Sequence, residues 1–137
     1  MSKFLSTLKI EVVGEQSYIL LEPLILEREE YTIIVHKGFD FDGASIPRSL
    51  WSIAGCPMGG LYSASACIHD ALYASKIFDK ETCDNIFLEA MLANGVNEIL
   101  AKEMFLAVRY FGNSVYEEAE NISKYRDLIE IKLKEEE

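Results

Sequence analysis

Leu, Ile and Val dominate residues 3–13 and 17–27, and each stretch ends at a polar cluster. The pattern predicts two strands joined by the turn Gly14-Glu15-Gln16, with Pro23 marking an edge or a bulge in the second. Tyr31 to His36 is a third β-rich run, set off by the charged turn Glu27 to Glu30. Together these runs predict a small antiparallel meander with one face free to cover a helical layer.

From Tyr62 onward the spacing becomes helical. A first long helix is expected over residues 62–76. Asp79 is placed to cap a second, which runs to about Asn94 with Cys83, Ile86, Phe87, Ala90 and Met91 on one face. Gly95 fits its C-terminal cap, and Asn97 opens a third helix. There Leu100, Met104, Ala107, Val108 and Phe111 repeat, and Gly112 closes the helix. A fourth helix is predicted from Asn113, thinning into a solvated, fraying tail at Lys132 to Glu137. Gly38 to Gly60, punctuated by Gly and Pro, is expected as an ordered loop region with a short helix at Arg48–Ile53. The expected fold class is α+β: one domain over residues 1–137, with a β meander (1–37), an ordered loop region (38–61) and a bundle of about four helices (62–137).

Charge narrows the choice of partners. Thirteen basic against 23 acidic side chains give a net charge of −10, which argues against nucleic acid and against strongly anionic membranes. Three cysteines, Cys56, Cys67 and Cys83, show no CxxC spacing, so reduced thiols in a cytoplasm are expected in place of a disulfide framework. No signal-peptide core and no membrane-length apolar run is visible.

Candidate chemistry gathers in the middle of the chain. His69 and Tyr73 are four apart, which puts them on one helix face about 6 Å apart along the axis. Asp70 is turned by about 100° from His69, towards other partners. Asp84, near the start of the next helix, can approach His69 if a short connection packs the two helices antiparallel. A carboxylate on one ring nitrogen fixes the tautomer and leaves the other nitrogen to take a proton, and Tyr73 could hold that carboxylate. Asp70, Asp42 and the backbone at Gly43 are candidate oxygen ligands for calcium, which would polarise an ester carbonyl while His69 deprotonates water. The bland readings are as concrete. Asp42 could end a turn, Arg48 could pair with these carboxylates, and His36 reads as a surface histidine. The cysteines read as small buried residues, and Arg109 as a buried partner of Asp84 or Asp70, or a snorkelling surface residue.

Two resemblances meet at these residues. Gly38-Phe39, Asp42-Gly43-Ala44-Ser45-Ile46-Pro47-Arg48, Trp51, His69-Asp70-Ala71-Leu72-Tyr73, Asp84 with Phe87, and Ala107 to Gly112 resemble the phage and prophage domain-of-unknown-function family 1353. That resemblance implies a bacteriophage or prophage origin. It also implies residence in the cytoplasm of an infected or lysogenic host, or in the virion. More distantly, Ala66 to Tyr73 followed by Cys83 to Phe87 is similar to the paired antiparallel helices of phospholipase A2. This second resemblance implies that His69 is the general base, that Asp70 binds calcium, and that Tyr73 and Asp84 complete the network. The calcium loop falls on Asp42 to Ser45, or alternatively on Gly55 to Gly60, and Ala44 stands where compact bacterial members tend to carry a cysteine. The leading expectation is a calcium-assisted hydrolase of a lipid or related ester, acting at a lipid or membrane surface. The alternative is a non-enzymatic virion, tail or host-interaction protein, whose partners are phage structural proteins or a host protein. A metal-dependent phosphohydrolase is a weaker third, because such chemistry needs more histidines than His36 and His69.

Overall fold

The computed structural model describes residues 2–15, 17–42 and 61–134. The described chain is mixed α+β, with antiparallel strands in its N-terminal part and five helices.

The strands do not form one meander. β2 (Ile10–Gly14) and β3 (Ser17–Leu20) make the expected hairpin, and β3 also pairs with the short β6 (Asp40–Phe41). A second sheet has the order β1-β4-β5-β7, from β1 (Lys3–Phe4), β4 (Leu24–Glu27), β5 (Tyr31–Val35) and β7 (Ile129–Leu133), all antiparallel. The predicted strand 17–27 is thus two strands, divided at Leu21 to Pro23, where the chain leaves one sheet for the other. Pro23 has no N–H to continue a ladder. Beside the break, the Ser6 hydroxyl donates to the Pro23 carbonyl and accepts from the Ile25 N–H. The predicted strand 3–13 is divided in the same way into β1 and β2. Period-two alternation buries Tyr18 and Leu20 on β3, Leu24 and Leu26 on β4, and Ile33 and Val35 on β5.

The C-terminal reading is also corrected. In place of one long fraying helix there are α4 (Asn113–Glu117), α5 (Ile122–Asp127) and then β7, which pairs with β5 from Val35↔Ile129 to Tyr31↔Leu133. Asn121 takes a left-handed conformation (φ 58°) ahead of α5. Ile129-Glu130-Ile131-Lys132-Leu133 alternates like a strand, and Ile129 is buried.

The three long helices follow their sequence signals. α1 (Ser63–Ser75) is buried at every position except Ala74 and ends at Lys76 in a left-handed cap. Its small residues let neighbours approach from all sides. α2 (Lys80–Ala93) starts at Asp79, whose side chain accepts from the Thr82 N–H. α3 (Glu98–Phe111) starts at Asn97, which accepts from Ile99 and Leu100, and it buries Ala101, Met104 and Val108. Phe111, read as part of that apolar face, is instead exposed. One apolar cluster lies between the strands and α1, including Leu20, Leu26, Ile33, Ile68 and Leu72. Another joins α1 to α2 and α3 through Ala66, Phe87, Met91, Met104 and Val108. α1 is shared by both clusters. The short helix expected at Arg48–Ile53 lies outside the described residues.

Candidate functional site

His69 lies where the two apolar clusters meet. Its ring is 4.1 Å from that of Tyr73, one turn along α1, and 4.7 Å from that of Phe87 on α2. Asp84, in the second turn of α2, brings its Oδ1 to 2.8 Å from His69 Nε2 and accepts the Tyr73 hydroxyl at 2.6 Å. Three residues singled out by spacing therefore converge through direct hydrogen bonds. The side chains of His69 and Asp84 are both 0 % exposed.

Two cations stand at the other oxygen of the carboxylate: Lys80, which the sequence reading did not name, and Arg109, which it offered as a partner of Asp84 or Asp70. Lys80 Nζ donates to Asp84 Oδ2 at 2.8 Å, and Arg109 Nε lies 3.5 Å from the same oxygen. Arg109 also reaches Asn85 and stacks over Phe105, so it is a partner of Asp84 with a partly exposed side chain, between the two options left open for it. Lys80 was legible in principle as an i,i+4 partner of Asp84 on one helix face. Gly112 is a further contributor. A Cβ there would stand 2.9 Å from the Tyr73 hydroxyl and 2.5 Å from the Val108 carbonyl oxygen, so only glycine leaves room for that hydroxyl.

The electrostatics fix protonation. Burial alone would raise the Asp84 carboxyl, yet the bonds from His69, Lys80 and Tyr73 outweigh it and hold the group below the usual range. Asp84 is therefore ionised and can only accept, so the proton of a neutral His69 must sit on Nε2. Burial pushes the His69 imidazole down, and the bond to Asp84 offsets only part of that. The remaining nitrogen, Nδ1, is buried and has no hydrogen-bond partner among the described residues. A neutral ring held by one nitrogen with a bare lone pair on the other is the ground state of a general base. Burial, then the Asp84 bond, raises the Tyr73 phenol, which stays protonated and donates. Burial likewise pushes the Cys67 thiol up and the Cys83 thiol to about 12, so neither is a thiolate.

Asp70, one residue beyond the base, is 8 % exposed and faces a different space. With Asp42, Phe41, Tyr73, Asn121 and Tyr125 it lines a cavity of about 550 Å³. Asp40, on the same wall, is engaged by Lys124 and Tyr125. Asp40, Asp42, Asp70, Glu118 and Glu120 all line this cavity, and hard carboxylate oxygens suit a calcium-type cation in donor chemistry. Among the described residues, however, no three or more His, Cys, Asp or Glu side chains gather tightly enough to hold a metal ion. Gly43, the alternative loop Gly55 to Gly60, Arg48, Trp51 and Cys56 lie outside the described residues. His36, read as a surface residue, is partly exposed and 3.1 Å from Glu130. Among the described residues, no helix is long and apolar enough to cross a membrane.

Residues 18–108, from β3 into α3, match the sequence family described as "Protein of unknown function (DUF1353)". The chain belongs to this family. The DUF1353 match includes His69, Asp70, Tyr73, Lys80 and Asp84. Two relatives come from Sinorhizobium fredii (strain NBRC 101917 / NGR234). Uncharacterized protein y4jT is 40 % identical over 78 residues, which is 57 % of this chain and 23 % of the relative. Uncharacterized protein y4iH is 37 % identical over 71 residues, 52 % of this chain and 30 % of the relative. The alignments therefore span less than a third of either relative's length. No solved structure matches this chain.

Proposed function

We propose that this protein is a phospholipase A2-like hydrolase of a lipid or related ester, with His69 as its general base. The observation that carries the reading is the asymmetry of the His69 ring, with Nε2 bound to Asp84 and Nδ1 bare. In the proposed reaction a water gives its proton to Nδ1 while its oxygen attacks the ester carbonyl. The imidazolium, stabilised by Asp84, then returns that proton to the departing alkoxide as the C–O bond breaks. Tyr73 keeps Asp84 in place throughout. Asp70 and Asp42, with the Gly43 carbonyl, are the residues that would hold calcium, which when bound supplies polarisation of the ester carbonyl. The pairing of α1 with α2 through His69, Tyr73 and Asp84 supports the likeness to phospholipase A2. A phage or prophage origin, action at a lipid surface, and residence in the host cytoplasm or virion are parts of the same proposal. The bacterial source of the two relatives is compatible with them.

A second reading is favoured by one observation, the complete burial of His69 and Asp84. In that reading the network is a scaffold of a non-enzymatic phage or host-interaction protein. Calorimetric calcium titration of chelator-stripped wild type and Asp70→Asn separates the two. Saturable binding abolished by Asp70→Asn supports the hydrolase. No heat up to about millimolar calcium, well above sensor-type affinities, contradicts the calcium-assisted mechanism.

A further inference from the structure

The two oxygens of Asp84 are held differently. Oδ1 takes His69 and Tyr73, whereas Oδ2 takes Lys80 Nζ at 2.8 Å. The same ammonium donates to the carbonyl oxygens of Val108 at 2.9 Å and Arg109 at 3.0 Å, so all three of its N–H groups are engaged. Those carbonyls belong to the last turn of α3, where the Val108 oxygen also accepts from the Gly112 N–H that caps the helix. Lys80 thus joins the first turn of α2, the end of α3 and the carboxylate that orients His69.

An ordinary i,i+4 ion pair on a wet helix surface contributes little to stability. This pair is of another kind, because its acceptor is 0 % exposed and the Lys80 side chain only 16 %. A carboxylate tethered at one oxygen alone can turn about its Cβ–Cγ bond and change what it offers the imidazole. Tethered at both, it cannot. Arg109 does not share this tether: its Nε stands 3.5 Å from Oδ2 without a hydrogen bond.

We propose that Lys80 is a positioning residue: it ties Asp84 Oδ2 to the end of α3, so that Oδ1 alone addresses His69 and keeps the ring in its Nε2–H form with Nδ1 bare. Its consequence for catalysis rests on the reading of His69 as general base, but the tether is observable without any substrate. Nothing in the family description assigns Lys80 a role.

The test is nitrogen-15 NMR of the imidazoles at about pH 8, where histidines are neutral, in wild type, Lys80→Met and Lys80→Arg. The chain has two histidines, so the spectrum holds two rings. Wild-type His69 should show one tautomer, protonated on Nε2. Lys80→Met should give mixed or exchange-broadened nitrogen signals, and Lys80→Arg, which restores a cationic donor, should recover the single tautomer. A folded Lys80→Met that keeps the single tautomer while losing only thermal stability reduces Lys80 to a cap on α3 and overturns the proposal. Should Lys80→Met not fold, the wild-type ammonium decides. Protons on Lys80 that exchange much more slowly than those of exposed Lys102 support the tether, and equal exchange overturns it. If the protein hydrolyses esters, Lys80→Met should lower kcat about tenfold to a hundredfold with KM unchanged. Absence of hydrolysis in the wild type would defeat the hydrolase reading and leave the tautomer result standing.

Discussion

His69 Nε2 and Asp84 Oδ1 lie 2.8 Å apart in full burial, although 15 residues separate them and they sit on different helices. Removing the charge of Asp84 leaves the Lys80 ammonium and the Arg109 guanidinium around a neutral group. Breaking such a buried ionic network by one partner costs about 3–5 kcal/mol. Asp84→Asn should therefore lose about that much stability in urea unfolding, and a loss below about 1 kcal/mol would mean the network contributes no more than a surface pair.

Gly112 and Tyr73 are coupled by space alone. Gly112→Ala places a methyl 2.9 Å from the Tyr73 hydroxyl and 2.5 Å from the Val108 carbonyl oxygen. It should cost about 1–3 kcal/mol, as overpacking does. Tyr73→Phe should cost about 1.5–3 kcal/mol, the range for a hydrogen bond to a charged acceptor. Because the phenylalanine variant removes one of the two clashes, the double variant should be less destabilised than the sum by about 0.5 kcal/mol or more. Strict additivity in unfolding measurements would contradict the close approach.

Acid should act in two stages. Burial holds His69 below its ordinary value of 6.5 in the folded chain, with Asp84 restoring part of the difference. As pH falls through 6.5 the unfolded chain therefore takes a proton that the folded chain refuses. The stabilisation is full above 6.5 and is lost towards the folded value. Asp84, held below its ordinary 3.8, adds stability that is present above 3.8 and lost only as pH falls through its lower folded value. Unfolding free energies measured from about pH 8 to 5 should decline on acidification in wild type and less steeply in His69→Gln. Equal slopes would show that His69 is not held neutral by the fold.

The local parts of this structure were legible in the sequence, and the distant pairings were not. Asp79 and Asn97 announced the starts of α2 and α3 because capping needs only neighbouring residues. The convergence of His69, Tyr73 and Asp84 followed from helical spacing plus a short connection. The switch between sheets at Pro23 was read only as an edge or bulge, since a prolyl residue marks a break without saying where the next strand pairs. β7 was missed because Val35 and Ile129 are far apart in sequence and the acidic residues beyond Leu133 obscured an alternating run. At the site, the i,i+4 spacing of Lys80 and Asp84 was legible, whereas the two acceptors of Lys80 on α3 were not, because they depend on how α3 packs.

β7 should therefore be structural. Ile129→Ala should cost about 2 kcal/mol or more, as truncation of a buried isoleucine does. A chain ended after Leu128 would uncover the edge of β5 and should associate in sedimentation experiments. A monodisperse, fully stable truncation would contradict the pairing of β5 with β7.

The central claim is that His69 Nδ1 takes a proton from water. The most direct measurement is fatty-acid release from phospholipid vesicles and from a soluble ester, with calcium present, by wild type and His69→Gln at matched folded concentration. The account predicts hydrolysis by the wild type and a fall of about two to four powers of ten in the variant. Hydrolysis that survives His69→Gln, or none in the wild type on either substrate, would contradict it.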